Sequence, residues 1–153
     1  MIIGIDSGYT GAICVLDTDT ISFFDMPLMT NKAGKNILNI FYLAKTLEHY
    51  KGLATVYLER VHAMPSQGVS STFRFGECYG AIQGVVVTLG FKIVYITPQA
   101  WKKKFGLIGS DKDYARTLAI NNFPQYADMI ARKKDIGRAD ALWIAQYGLS
   151  EQC

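Results

Sequence analysis

Three acidic residues stand where an ionised side chain is costly unless it has a purpose. Asp6 ends the run Ile2-Ile3-Gly4-Ile5, and Glu59 ends Val56-Tyr57-Leu58. Asp140 lies in the apolar run Ala139-Asp140-Ala141-Leu142-Trp143-Ile144-Ala145. A charge at the edge of a core must be paired or must bind a cation. If the segments ending in Asp6 and Glu59 are neighbouring strands, their carboxylates emerge side by side. Such like charges repel unless a cation lies between them. Oxygen-only donors select Mg2+ or Mn2+. Two such ions could activate a water and stabilise the leaving oxygen of a phosphodiester. Each acid also has an ordinary structural use: Asp6 as a turn former, Asp140 at a helix start, and Glu59 as a partner of Arg60 or a lysine.

The elements that must position these acids follow from the apolar pattern. Ile2 to Asp6, Ala12 to Leu16 and Thr20 to Phe24 read as three strands joined by tight turns at Gly8–Gly11 and Asp17–Asp19, an antiparallel meander. After a loop with Pro27, Asn31 and Gly34, Asn36 can cap a helix to about Tyr50, with Ile37, Ile40, Phe41, Ala44 and Leu47 at helical spacing. Ala54 to Leu58 is a strand that delivers Glu59. Val61 to Val69 is a polar loop, and Ser70 or Ser71 caps a long helix to about Leu89. Lys92 to Ile96 is the next strand, and Pro98 opens a short helix to Lys104. Lys112 to Asn122 and Tyr126 to Lys133 read as helices split by Pro124, and a last helix runs from about Arg138 to Gly148. The order predicts an α/β fold with a mixed five-stranded sheet and helices on both faces, because the later strands need crossovers.

Composition narrows the class. At 153 residues and 17.0 kDa, half apolar and 19% charged, the chain reads as one globular domain over 1–153. Cys14, Cys78 and Cys153 make no CxxC pair, zinc pattern or disulfide framework, which fits a reducing, cytoplasmic compartment. The start of the chain does not read as a signal peptide, and the longest apolar stretch, Tyr79 to Phe91, is too short to span a membrane. The net charge is only +3, but Trp101 to Arg138 carries nine basic and four acidic residues. A localised basic stretch is the usual footprint of a polyanion partner.

At this point the residues reach a family. The chain resembles the RuvC-type Holliday junction resolvases of the RNase H-like superfamily, especially the small phage and bacterial members. The resemblance is carried by Gly4-Ile5-Asp6-Ser7-Gly8, by Leu58-Glu59-Arg60-Val61-His62-Ala63-Met64-Pro65, by Gln67-Gly68-Val69-Ser70-Ser71-Thr72-Phe73-Arg74-Phe75-Gly76, and by Gly137-Arg138-Ala139-Asp140-Ala141-Leu142. It implies an RNase H-like fold, a homodimer, and cleavage of branched DNA, such as a four-way junction, with two Mg2+ or Mn2+ ions per site. It also implies a phage or bacterial cell as the setting. The family uses four acids; Asp6, Glu59 and Asp140 match three. The remaining position, three residues before the last acid, is Gly137, so Asp135 is expected as the fourth ligand if the chain turns at Ile136-Gly137. Its structural alternative is an acid balancing Arg132, Lys133 and Lys134.

The resemblance assigns further roles. Lys102 matches a family lysine four residues after Pro98, placed beside the reacting phosphate. Lys112 matches a second lysine that would hold the DNA backbone, and Lys103 and Lys104 extend the same basic run. Arg60, His62 and Arg74 belong to the segment after Glu59, whose loop could enter a junction. His62 sits where the family stacks a side chain on junction bases, and its alternative is a loop histidine with a local hydrogen bond. Gly76, Gly80 and Gly84 recur every four residues on the long helix. Each costs roughly 1 kcal/mol of helix propensity against alanine, so another backbone should approach there, either this chain's own sheet or a second subunit.

Three other readings stay open. Gly4-Ile5-Asp6-Ser7-Gly8-Tyr9-Thr10-Gly11 also resembles the phosphate hairpin of actin-type and sugar-kinase ATPases, which need a second related domain. The chain could also bind junctions without catalysis, given Gly137. An RNase H-like nuclease acting on RNA or on other branched DNA is the third.

Overall fold

The computed structural model describes residues 1–63, 66 and 68–152; Met64, Pro65 and Gln67 of the loop after Glu59, and Cys153, lie outside the described residues. The first three strands are β1 (Ile2–Asp6), β2 (Ala12–Leu16) and β3 (Ile21–Asp25). They form the expected meander, with the third displaced by one residue. Two short strands follow, β4 (Leu28–Thr30) and β5 (Asn36–Leu38), paired antiparallel around a turn in which Asn31 Oδ1 accepts from the amides of Ala33 and Lys35. This corrects the reading of Asn36 as a helix cap. Asn36 pairs with Thr30, and Asn39 caps α1 (Ile40–Glu48), its side chain accepting from the Tyr42 amide at 3.0 Å.

Then come β6 (Thr55–Glu59), α2 (Val69–Thr88), β7 (Lys92–Ile96), α3 (Pro98–Lys104), α4 (Lys112–Asn122) and α5 (Ile136–Ser150). Gly68, not Ser70 or Ser71, stands at the start of α2. The segment expected as a helix from Tyr126 to Lys133 is instead 3-10 structure over Pro124–Ile130, followed by a 3-10 turn over Lys133–Asp135. In the second of these the Asp135 carboxylate accepts from the Arg132 amide and closes the tight turn that leads into α5.

The main sheet runs β3-β2-β1-β6-β7, with β6 parallel to β1 and β7 parallel to β6. Successive side chains of a strand face opposite ways, which divides the core in two. Ile3, Ile5, Ile13, Val56 and Leu58 pack on one face against Leu43 and Leu47 of α1 and Cys78, Ile82 and Val86 of α2. Ile2, Cys14 and Tyr57 pack on the other against Trp101 of α3, Ala115 and Ala119 of α4, and Leu142 and Ile144 of α5. No helix among the described residues is long and apolar enough to cross a membrane.

Candidate active site

The register of the parallel strands sets the first two acids. Ile5 pairs with Leu58, so Asp6 and Glu59 follow at the same level on strands about 4.8 Å apart. Alternation then chooses their face. Gly4 lies against α5, and Asp6 is two residues further along the same strand; Tyr57 lies against Gly148 of α5, and Glu59 is two residues further again.

The third acid arrives on α5, and glycines let that helix approach. A Cβ on Gly4 would stand 2.5 Å from the Ala145 amide nitrogen, and a Cβ on Gly148 would stand 2.5 Å from the Tyr57 ring. A Cβ on Gly137 would strike the Thr10 carbonyl and lie 3.0 Å from Gly11 Cα. Gly137, Ala141, Ala145 and Gly148 form one small-residue stripe seated on the β1–β2 turn, β1 and β6. This also explains why no acid occupies position 137: the β1–β2 turn fills the space a side chain would need.

Asp6 and Asp140 line a cleft of about 480 Å³ together with Lys102, Lys112, Lys133 and Lys134, and with Thr10, Ser110 and Asp111. The trio of acids is electrostatically strained. Burial, then the neighbouring Asp140 and Glu59, hold the Asp6 carboxyl well above the usual carboxylate range, while Lys102 pulls it back. Burial pushes Asp140 up to about 7, opposed by Lys102 and Lys112 and reinforced by Glu59. Burial also raises Glu59, offset by a hydrogen bond from Trp101 and by Lys102. The three carboxylates and Lys102 therefore share one field, although they come from β1, β6, α5 and α3.

These carboxylates are the residues that could hold a divalent cation. All their donors are anionic oxygens, the set that hard cations select. Among the described residues no three acidic, histidine or cysteine side chains gather tightly enough to ligate one ion together. The donor set fits such ions in kind and in charge.

The other expected site residues divide. Asp135 is not drawn into the cleft. Its carboxylate accepts from Arg132 Nε at 3.0 Å and from a second guanidinium nitrogen at 2.9 Å, and the pair holds it below the usual carboxylate range. It is a turn latch ahead of α5, so the expected fourth ligand is not with the other three. Lys104 lies 3.6 Å from Glu151 and over the Tyr147 ring, toward the far end of α5. Lys103 is exposed beyond the cleft lining. Arg74 packs over Tyr9 at 5.0 Å and donates to the Asn36 carbonyl, tying α2 to β5. Arg60 and His62 are exposed just past Glu59.

Sequence reasoning missed Lys133 and Lys134 as cleft residues, although they belong to the basic stretch it singled out. It also missed Trp101, whose Nε1 donates to Glu59 Oε1 at 2.8 Å across 42 residues of chain. No spacing rule joins those two positions.

No family model matches the chain. It is 32% identical over 94 residues, 61% of its length, to the chloroplastic Holliday junction resolvase MOC1 of Chlamydomonas reinhardtii, and the match spans only 11% of that much longer protein. Among solved structures it is similar to Thermus thermophilus RuvC, with a TM-score of 0.57 and 13% identity over 99% of this chain and 96% of that one. The same protein in complex with a Holliday junction substrate gives a TM-score of 0.56 at 13% identity over 99% of this chain and 95% of that one. The fowlpox virus Holliday junction resolvase gives 0.55 at 15% identity, over 99% of each chain. At these identities the likeness is one of fold, and the fold is the RNase H-like fold of RuvC.

Proposed function

We propose that this protein is a metal-dependent endonuclease that resolves branched DNA of the four-way-junction type. The observation that carries the reading is the convergence of Asp6, Glu59 and Asp140 with Lys102 beside a lysine-lined cleft. The matches to junction resolvases in sequence and fold support the same substrate class.

Asp6, Glu59 and Asp140 would hold two Mg2+ or Mn2+ ions. Ions bound there supply an activated water for in-line attack at phosphorus and a stabilised 3′ leaving oxygen. Lys102 neutralises charge on the transferring phosphate. Lys112, with Lys133 and Lys134, holds the flanking backbone; none of these four lysines is ion-paired among the described residues. His62 and Arg60 stand beside the site, where a branched strand would splay its bases.

The assembly is a homodimer. The outward stripe of α2 runs Val69, Phe73, Gly76, Gly80, Gly84 and Val87, all exposed. A Cβ added at any of its three glycines meets nothing within 4 Å. The glycines therefore serve no packing inside the protomer, against the reading that the chain's own sheet requires them. A two-fold partner seated there would present two active sites to the two matched strands of a junction.

The test is a cleavage panel with Mg2+ or Mn2+ on four-way, three-way, flap and linear DNA and on an RNA–DNA hybrid. The proposal expects cutting of the four-way junction at least tenfold faster than of linear duplex. Binding without cutting would favour a junction-binding protein, and preferred cutting of the hybrid would favour an RNA-directed nuclease.

A further inference from the structure

Trp101 is 1% exposed, and a buried indole N–H requires a partner. Its partner is not a backbone carbonyl, as for Trp143, which donates to Ala115. Trp101 donates to Glu59 Oε1 at 2.8 Å. The same ring carries Lys102 Nζ 5.2 Å from its centroid. One side chain in the middle of α3 thus touches an acid at the end of β6 and a lysine on its own helix, both given roles in the proposed chemistry.

A glutamate at a strand end has several free torsions, and ordering them opposes each binding event. An N–H bound to Oε1 restricts the carboxylate's torsions and leaves the lone pairs of Oε2 available to a cation. The ring face meanwhile gives the Lys102 ammonium a seat that does not consume a carboxylate oxygen.

We propose that Trp101 is a positioning residue that presets Glu59 for cation binding through its indole N–H and seats Lys102 on its ring. The inference rests on the metal-dependent reading above. Trp101→Phe separates the two roles, because it keeps an aromatic ring beneath Lys102 and removes the N–H. The expected result by calorimetry is Mn2+ binding weakened by about 10–100-fold, the effect typical of losing a group that orients a ligand. Junction affinity in Ca2+ should be unchanged, and cleavage lost at limiting Mn2+ should return at high Mn2+. An Mn2+ isotherm superimposable on the wild type overturns the inference. So does a cleavage deficit that persists equally at every Mn2+ concentration, which is the mark of a packing role.

If Trp101→Phe fails to fold, Trp143→Phe leaves Trp101 as the single tryptophan. Mg2+ should then change its emission, and Glu59→Gln in the same background should abolish the change; no change overturns the inference. A wild-type protein that binds Mn2+ but cuts no junction would sink the nuclease reading, while a weakened isotherm in Trp101→Phe would still support the role of Trp101.

Discussion

Burial pushes Asp140 up to about 7, far above the value of about 3.9 expected in the unfolded chain. The folded state therefore binds this proton more tightly. Stability falls as pH rises from about 4 to about 7, and the penalty is complete above that. Asp140→Asn removes the penalty, so it should raise the melting temperature at pH 8 by several degrees, with the gain shrinking toward pH 4. Mn2+ should stabilise the wild type more than this variant. Asp135 behaves oppositely. Arg132 holds it below the usual range, so its contribution is complete above about pH 4 and is lost as pH falls through the depressed value. Asp135→Asn should cost stability at neutral pH and leave Mn2+ binding unchanged. Thermal melts across pH, with and without Mn2+, check both. Asp6, Glu59 and Asp140 were legible in sequence because a carboxylate beside an apolar run is costly without a purpose. The role of Asp135 was not, because it depends on a turn made with Arg132.

At the scale of elements, the site depends on how closely α5 lies on β1. Gly4→Ala would drive a methyl group into the Ala145 backbone and shift the helix that carries Asp140. It should cost about 1–3 kcal/mol by denaturant titration, the range for overpacking a close contact, and should weaken Mn2+ binding as well. Gly76→Ala, with nothing near its Cβ, should not destabilise the isolated protomer. Strands β1, β2, β6 and β7 were readable because each is a short continuous apolar run bounded by turn or polar residues. The three-residue strands β4 and β5 were not, because so short a pairing carries no periodic signal. The span after Pro124 carries helix-forming residues yet folds as 3-10 structure, a difference that propensity alone does not register.

The whole molecule carries a net charge of only +3, which names no partner. The fold changes its meaning. Lys102, Lys112, Lys133 and Lys134 come from three separate elements and meet around one cleft, which Asp6, Asp111 and Asp140 also line. Junction binding should therefore fall steeply with salt, and replacing Lys133 and Lys134 together by alanine should lower the log–log salt slope by roughly 1–2. The second molecular feature is the bare glycine stripe of α2. The proposed dimer predicts that Gly80→Arg sediments as a folded monomer where the wild type sediments as a dimer, and that its cuts in the two matched strands become uncoupled. Spacing alone revealed this stripe, but only the empty surroundings of its glycines separate a partner's approach from packing on the chain's own sheet.

The most direct measurement is single-turnover cleavage of a synthetic four-way junction by the purified protein with Mn2+, beside Asp6→Asn. The proposed chemistry predicts metal-dependent nicks with 5′-phosphate and 3′-hydroxyl ends, reduced at least 100-fold in Asp6→Asn while junction binding persists. An uncut junction, or equal cleavage by wild type and Asp6→Asn, would contradict it.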